Sequence, residues 1–408
     1  MRWREAAIAA FAAIATCYGD GETSYFRYFD NTNEIPTNIS EWNVSRSNNF
    51  YRMFYDRLDF NSTLDLWNVG NGEFFDGMFS GCTNFESNLD SWDVRNGEDF
   101  QRMFNDAASF ESNLDSWEVG KGRIFEHMFA SATDFNGNLS SWNVGNGEDF
   151  RYMFFQATTF NSTLDLWNVT AGKKLDRMFY HAANFESNLD AWQVGKSEDF
   201  TYMFNGAAHF DSSLGSWEVG NGESFEGMFW GAANFNGDLS SWNVGKGKKF
   251  HNMFNDATSF DSDLSDWDVS SGTNFFHMFD GATSFDSDLS KWNVSSGTNF
   301  EDMFYGATAL NVSWHENEAH VPCWAYYDGD TFVKSWVVNE SKITCKAPPP
   351  PPPPPSPPPS PSGGGGGVGI AIAAVAGAAC IVGGAVYWYR RSKGVAASFA
   401  ETSALIKL

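Results

Sequence analysis

The chain has 408 residues, a formal net charge of −25, 17% aromatics and only 14 prolines, which is enough apolar material for a buried core and too little charge for wholesale disorder. The acid lies in the body. Residues 1–5 carry +1 and residues 390–408 carry +3, leaving −29 for residues 6–389, a field that repels phosphate backbones and excludes nucleic acid as a partner.

Residues 1–15 read as a secretory signal peptide: Arg2 and Arg4 precede an apolar run from Ala6 to Ile14, and Ala13-Ile14-Ala15 supplies an A-x-A site. An amphipathic capping helix or a truncated start are the other readings. Residues 16–41 form a degenerate unit with Tyr25, Tyr28, Phe29, Ile35 and Ile39 in core positions, as expected of a cap that shields an open end.

From residue 42 to 312 a period of 25 governs everything. Tryptophan stands at 42, 67, 92, 117, 142, 167, 192, 217, 242, 267 and 292, and valine follows two residues later each time, from Val44 to Val294. Met-Phe recurs from Met53-Phe54 to Met303-Phe304, and two more columns run from Phe50 to Phe300 (Leu175 once) and from Phe60 to Phe285. Thirty-one of the 39 phenylalanines are lattice positions. The segment Leu64 to Val69 reads L-x-x-W-x-V, which places Trp67 and Val69 on the core side of a short strand. Phe75, Met78, Phe79, Cys82 and Phe85 fall on one face of a helical or 3₁₀ return. No unit can bury this surface alone, so identical units must stack. The expected fold is therefore an α/β solenoid, a leucine-rich-repeat-like stack of about eleven 25-residue strand-plus-helical-turn coils, followed by a C-terminal transmembrane helix.

The unit beginning at Trp267 and Trp292, W-N/D-V-S-S-G-T-N-F-x-x-M-F-x-G-A-T, resembles the BspA-type leucine-rich repeats of microbial and protist surface proteins, built on W-D-V-S-x-V-T-N-M-x-x-M-F. The likeness spans about residues 36–312. It implies a repeat solenoid and adhesion or recognition at a surface; it names no ligand and no catalytic residue. Where that pattern has Val five residues after the Trp, nine of the eleven units here have Gly, such as Gly72, Gly97 and Gly272. A glycine there is expected to turn the chain out of the strand and shorten it.

Residues 313–347 read as a C-terminal cap module with two β-rich runs around Cys323 and Cys345. These two cysteines are expected to be bonded to each other: Cys82 replaces a core alanine, Cys380 is in the apolar span and Cys17 has no evident neighbour. A zinc site using His315, His320 and Cys323 is the rival, against which the spacing speaks. Twelve of the 14 prolines lie in residues 348–361, followed by Gly363 to Gly367, so 348–367 reads as an extended stalk with a swivel. Val368 to Tyr389 is 22 residues without a charge, ending in Tyr387-Trp388-Tyr389 before Arg390-Arg391. Such a segment spans a bilayer with its basic flank in the cytosol. The expectation is a single-pass plasma-membrane protein with its N-terminus outside and residues 390–408 as a cytoplasmic tail.

No Ser-His-Asp or Cys-His arrangement stands out among seven scattered histidines, so no enzymatic role is read. Strand parity places the Trp column inside and leaves its flanking residues outside, and the candidate ligand-facing residues are Asp93, Glu118, Gln193, Glu218, Asp266 and Asp268. Carboxylates recur at equal positions in Asp261, Asp263, Asp286 and Asp288, where calcium could bridge them; a hydrated turn is the preferred reading, and no cofactor is expected. Nine N-x-S/T sequons mark Asn38, Asn43, Asn61, Asn138, Asn161, Asn168, Asn293, Asn311 and Asn339 as candidate glycosylation sites. The function expected is surface adhesion or capture of a protein or glycan ligand. A structural surface coat and a tail-anchored protein with a cytosol-facing array are the alternatives.

Overall fold

The computed structural model describes residues 35–289 and 291–310, with residues 23–24 and 29 ahead of them and four two-residue strands between 327 and 343. The chain divides into two units, Met1–Pro348 and Pro349–Leu408, and every described residue belongs to the first. Positions within the array are counted from each tryptophan, so Gly72 is at +5 of the unit of Trp67.

Adjacent units meet through their backbones in parallel register. Strand β1 (Thr23–Ser24) pairs with β2 (Ser47–Asn49), and from Asn49 single parallel bridges continue at +7 through Phe74, Asp99, Ile124 and Asp149 to Lys174, then from Asp199 through Ser224, Lys249 and Asn274 to Asn299. The strand expected at Trp-x-Val is therefore not a strand. The Trp67 amide closes a local turn on Leu64 O, the Val69 carbonyl accepts the Gly72 amide in a second turn, and pairing moves to +7.

The expected helical return is also corrected. Among the described residues the one helix is the 3₁₀ turn Ile39–Glu41. From Phe75 onward alternate amides divide their work. Phe75, Gly77, Phe79 and Gly81 donate to carbonyls of the next unit (Asp99, Gln101, Met103, Asn105), while Met78, Ser80 and Cys82 donate three residues back. This requires left-handed backbone at +10 and +14, held by Gly77 (φ +60°) and Gly81 (φ +78°) and by non-glycine residues such as Arg102, His127, Tyr152 and Arg177. A left-handed residue every four positions is incompatible with an α-helix.

The apolar columns fill the interior. Tryptophans 67 to 292 stack on one another at 6.2–6.4 Å with planes within 7°. Each buried indole donates to a carbonyl 28 residues earlier, as in Trp92 Nε1 to Leu64 O at 2.8 Å and Trp167 Nε1 to Leu139 O at 2.9 Å. This satisfies the polar atom that burial would otherwise strand. The Phe columns stack similarly, and Phe54 and Phe60 of one unit lie 4.1 Å apart. A buried serine at +20 tightens the stack: Ser87 Oγ accepts the Leu64 amide at 2.8 Å. At the N-terminal side Phe29 and Ile39 are buried, with Phe29 stacked 5.3 Å from Phe54, and Ile35 packs partly against the same cluster.

The glycine at +5 has another cause than a turn. None of these glycines has positive φ; a Cβ added to Gly72, Gly97 or Gly147 would sit 2.2–2.3 Å from Cζ of the phenylalanine at +8. The absent side chain makes room for the ring. Where Leu175 replaces that ring, the Cβ on Gly172 would meet Leu175 Cδ2 at an ordinary 3.5 Å. Ser47 and Ser197 stand in for this glycine in two units, and their Oγ atoms bond the carbonyls two residues on, of Asn49 and Asp199, each at 3.1 Å. The Asp199 carbonyl is at the position which elsewhere accepts from the preceding unit, as Lys174 O does from Phe150 N. The Lys174–Asp199 bridge is missing at that junction.

Beyond the array, β3 (Tyr327–Asp328) pairs antiparallel with β4 (Thr331–Phe332), and β5 (Val338–Asn339) with β6 (Lys342–Ile343). Cys17, Tyr25, Tyr28, Cys323, Cys345, Asn311 and the segments 1–15, 348–367, 368–389 and 390–408 lie outside the described residues, as does the side chain of Asn339. No helix among the described residues is long and apolar enough to cross a membrane.

Candidate functional site

Two surfaces of different electrostatic character arise from the repeat. Positions +3 to +10 hold 14 of the 16 Lys and Arg residues between 35 and 310 but only 14 of the 40 Asp and Glu. The other 26 acids are accompanied only by Arg57 and Lys291. One surface is thus balanced charge by charge, and the other is strongly anionic.

On the balanced surface the bridge column brings opposite charges of neighbouring units together. Glu148 accepts from Arg123 at 2.7 Å and Lys173 at 2.6 Å, and Asp149 from Arg151 at 2.8 Å and Lys174 at 2.9 Å. Hydrogen bonds from Lys173 and Arg123 hold the Glu148 carboxyl down to about 2. Burial pushes Asp149 up, but its bonds to Arg151 and Lys174 outweigh this and leave it lowered. Between these pairs Phe74 and Ile124 line a cavity of about 330 Å³. Farther along, the Arg177 guanidinium lies between the rings of Tyr152 and Tyr202, at 5.4 and 5.1 Å. Asp76 is 8% exposed, and burial and the nearby Asp99 charge push its carboxyl up to about 6.

On the anionic surface Asp93, Glu118, Gln193, Glu218, Asp266 and Asp268 are all exposed. Asp93 accepts from Arg95 Nε at 2.7 Å, Asp266 pairs with Lys291 at 3.0 Å, and the Ser270 hydroxyl and amide hold the Asp268 carboxyl below its usual range. These residues are a row, not one constellation: Asp93 and Asp268 are seven units apart, roughly 34 Å at about 4.8 Å per unit. Glu118 lines a cavity of about 430 Å³ with Arg95, Asp115, Ser116, Lys121, Ser141 and Asn143. Asp93 reaches that cavity through Arg95.

Asp261 Oδ1 accepts the Asp286 amide at 2.9 Å, and Asp263 accepts from Ser265 and Ser287. Among the described residues no group of three or more His, Cys, Asp or Glu side chains is arranged to hold a metal ion. Asn38, Asn43, Asn61, Asn138, Asn161, Asn168 and Asn293 are all exposed, and none falls at +3 to +10. Cys82 is a free, buried thiol that burial pushes up to about 12.

Parity arguments found the outward row but missed the charge ladder and the two cavities described above. The alternation of Glu98, Arg123, Glu148 and Lys173 at one repeat position was the available signal. A family model described as "Mycoplasma protein of unknown function, DUF285" matches residues 23–132, 116–217 and 209–317. No curated protein matches the chain.

Proposed function

The chain belongs to this DUF285 repeat family, and we propose that it is a surface recognition protein: a BspA-type solenoid displayed outside the cell on the 348–367 stalk and anchored by 368–389. The reading is of binding, not catalysis. The observation that carries it is the exposed polar row immediately after the Trp column, unbroken from Asn43 to Asn293 over an interior filled with aromatic rings, whereas the position before the Trp is interrupted by the exposed Leu66 and Leu166. Such a scaffold presents many closely spaced side chains on a rigid support, which suits recognition of an extended ligand. The exposed sequons off the charge-balanced surface fit a glycosylated protein in the secretory route, and a Cys323–Cys345 bond, readable by non-reducing peptide mapping, fits the same compartment.

The test is adhesion of cells displaying the full chain. Asp93, Glu118, Gln193 and Glu218 are replaced by Asn, the residue of Asn143 and Asn243 at that position, Asp268 by Gln, as at Gln193, so that no new sequon arises before Ser270, and Asp266 by Ser, as at Ser241. Loss of adhesion with an unchanged unfolding midpoint supports the reading; full adhesion by the variant rejects the row as the contact surface.

A further inference from the structure

We infer that the cavity beside Trp117 is a subsite for a carboxylate-bearing saccharide unit, a uronic acid within a glycan chain; this rests on the surface-recognition reading and gives it a ligand class. The cavity forms where the repeat departs from its own pattern. At +3 ten units carry Gly, Ser or Thr, and the eleventh carries Arg95. At +4, Asn71, Asn96, Asn146 and Asn221 each donate Nδ2 to the +3 carbonyl of the preceding unit, at 2.7–2.8 Å. Lys121 cannot make that bond from its ammonium in the same way. It reaches Asn96 Oδ1 at 2.7 Å instead, and the Arg95 carbonyl goes without the donor.

Asp115, two residues before Trp117, also lines the opening. Asp190 Oδ1, two residues before Trp192, accepts the Ser216 amide at 3.2 Å. The equivalent Asp115 Oδ1 has no hydrogen-bond partner. The opening is therefore lined by two cations, Asp115, Glu118, two serines and Asn143, with the unpartnered Asp115 Oδ1 itself buried behind it. With Nε on Asp93, the Arg95 guanidinium keeps its Nη groups for a planar anion, and Lys121 adds a second positive charge. Asp115 and Glu118 need donors, which sugar hydroxyls supply. A bare inorganic anion would meet two carboxylates, and a neutral sugar would leave both cations unused. The volume, about 430 Å³, suits a small ligand unit, and the site faces solvent on the outward row, so a chain can run on past it.

The experiment is calorimetric titration of the full chain with tetragalacturonate, its methyl ester and monomeric galacturonate. The variants are Arg95→Gly and Lys121→Asn, residues that neighbouring units already carry at those positions, and Asp115→Ser, as at Ser140. The tetramer is expected to bind at least tenfold more tightly than its ester, while its other three carboxylates, facing an anionic row, give it no advantage over the monomer. Each cation variant should lose about tenfold, the scale of one charged hydrogen bond. Asp115→Ser should weaken binding although it removes a negative charge, which general electrostatics would not produce. No binding by the tetramer, equal binding of the ester, or tighter binding by Asp115→Ser overturns the inference. Adhesion by displaying cells that persists while the tetramer fails to bind overturns this ligand class and leaves the surface reading intact.

Discussion

Replacing Gly147 by Ala places a Cβ 2.2 Å from Phe150 Cζ and 2.9 Å from Cε2. The ring cannot swing away freely. It is fully buried, stacks 5.5 Å from Phe125 and touches Trp167 at 6.4 Å between centroids. Overpacking of this kind costs about 2 kcal/mol. Phe150→Leu alone, which loses ring contacts but keeps an apolar side chain, should cost about 1.5 kcal/mol. At Gly172 the Cβ clears Leu175 at 3.5 Å and keeps one tight contact, with Val169 O at 3.0 Å, so the double variant should lose most of the ring clash, a favourable coupling of about 1–2 kcal/mol. Gly145→Ala is the control. Its Cβ meets only the side chains of Asn143 and Asn168, at 3.1 and 3.6 Å, and it should shift stability by less than about 0.5 kcal/mol. Urea unfolding followed by tryptophan fluorescence gives the energies, and amide exchange at Phe150, whose N–H bonds Lys174 O at 3.0 Å, localises them if the array unfolds in parts. Additive costs, or a Gly147→Ala variant as stable as Gly145→Ala, would refute the explanation of the glycine column.

Trp167→Ala should cost about 3–5 kcal/mol through the cavity it leaves in the indole stack, whereas Asn168→Ala, on the exposed side with bonds only to Thr170, should cost under about 1 kcal/mol by the same unfolding assay. Asp76 has a folded pKa of about 6, above its ordinary 3.8, so the native chain binds this proton more tightly than the unfolded one and Asp76 makes stability fall as pH rises from 4 to 6. Asp76→Asn should remove that slope and raise the midpoint at pH 7. The Cys82 thiol, raised to about 12 and buried, should resist alkylation at pH 8 until urea unfolds the array, read by peptide mapping at that residue.

The apolar columns were fully legible, because one 25-residue period writes every core residue eleven times. Which backbone atoms pair was not. Trp-x-Val has strand parity, but parity reports only which side a residue faces, and here the Trp amide and the Val carbonyl are used in local turns. The run from Phe75 to Phe85 has helical spacing, yet its left-handed positions are filled by Arg, His, Tyr and Asp in many units, residues that give no such signal. Glycine at +5 looked like a conformational device because glycine often is one; its partner, the ring three residues on, becomes visible only when both are placed in space. For the candidate site, exposure of Glu118 followed from its place beside Trp117, but Arg95 and Asp115 of one unit converge with Lys121 of the next, which no single-unit pattern can express.

Surface display of the repeats is the claim on which the functional reading stands, and protease shaving of intact cells tests it directly. With an epitope in residues 390–408, the account predicts that trypsin releases array fragments into the medium while the tail epitope stays with the cells and is stained only after permeabilisation. An array protected in intact cells, or a tail epitope accessible without permeabilisation, would contradict it.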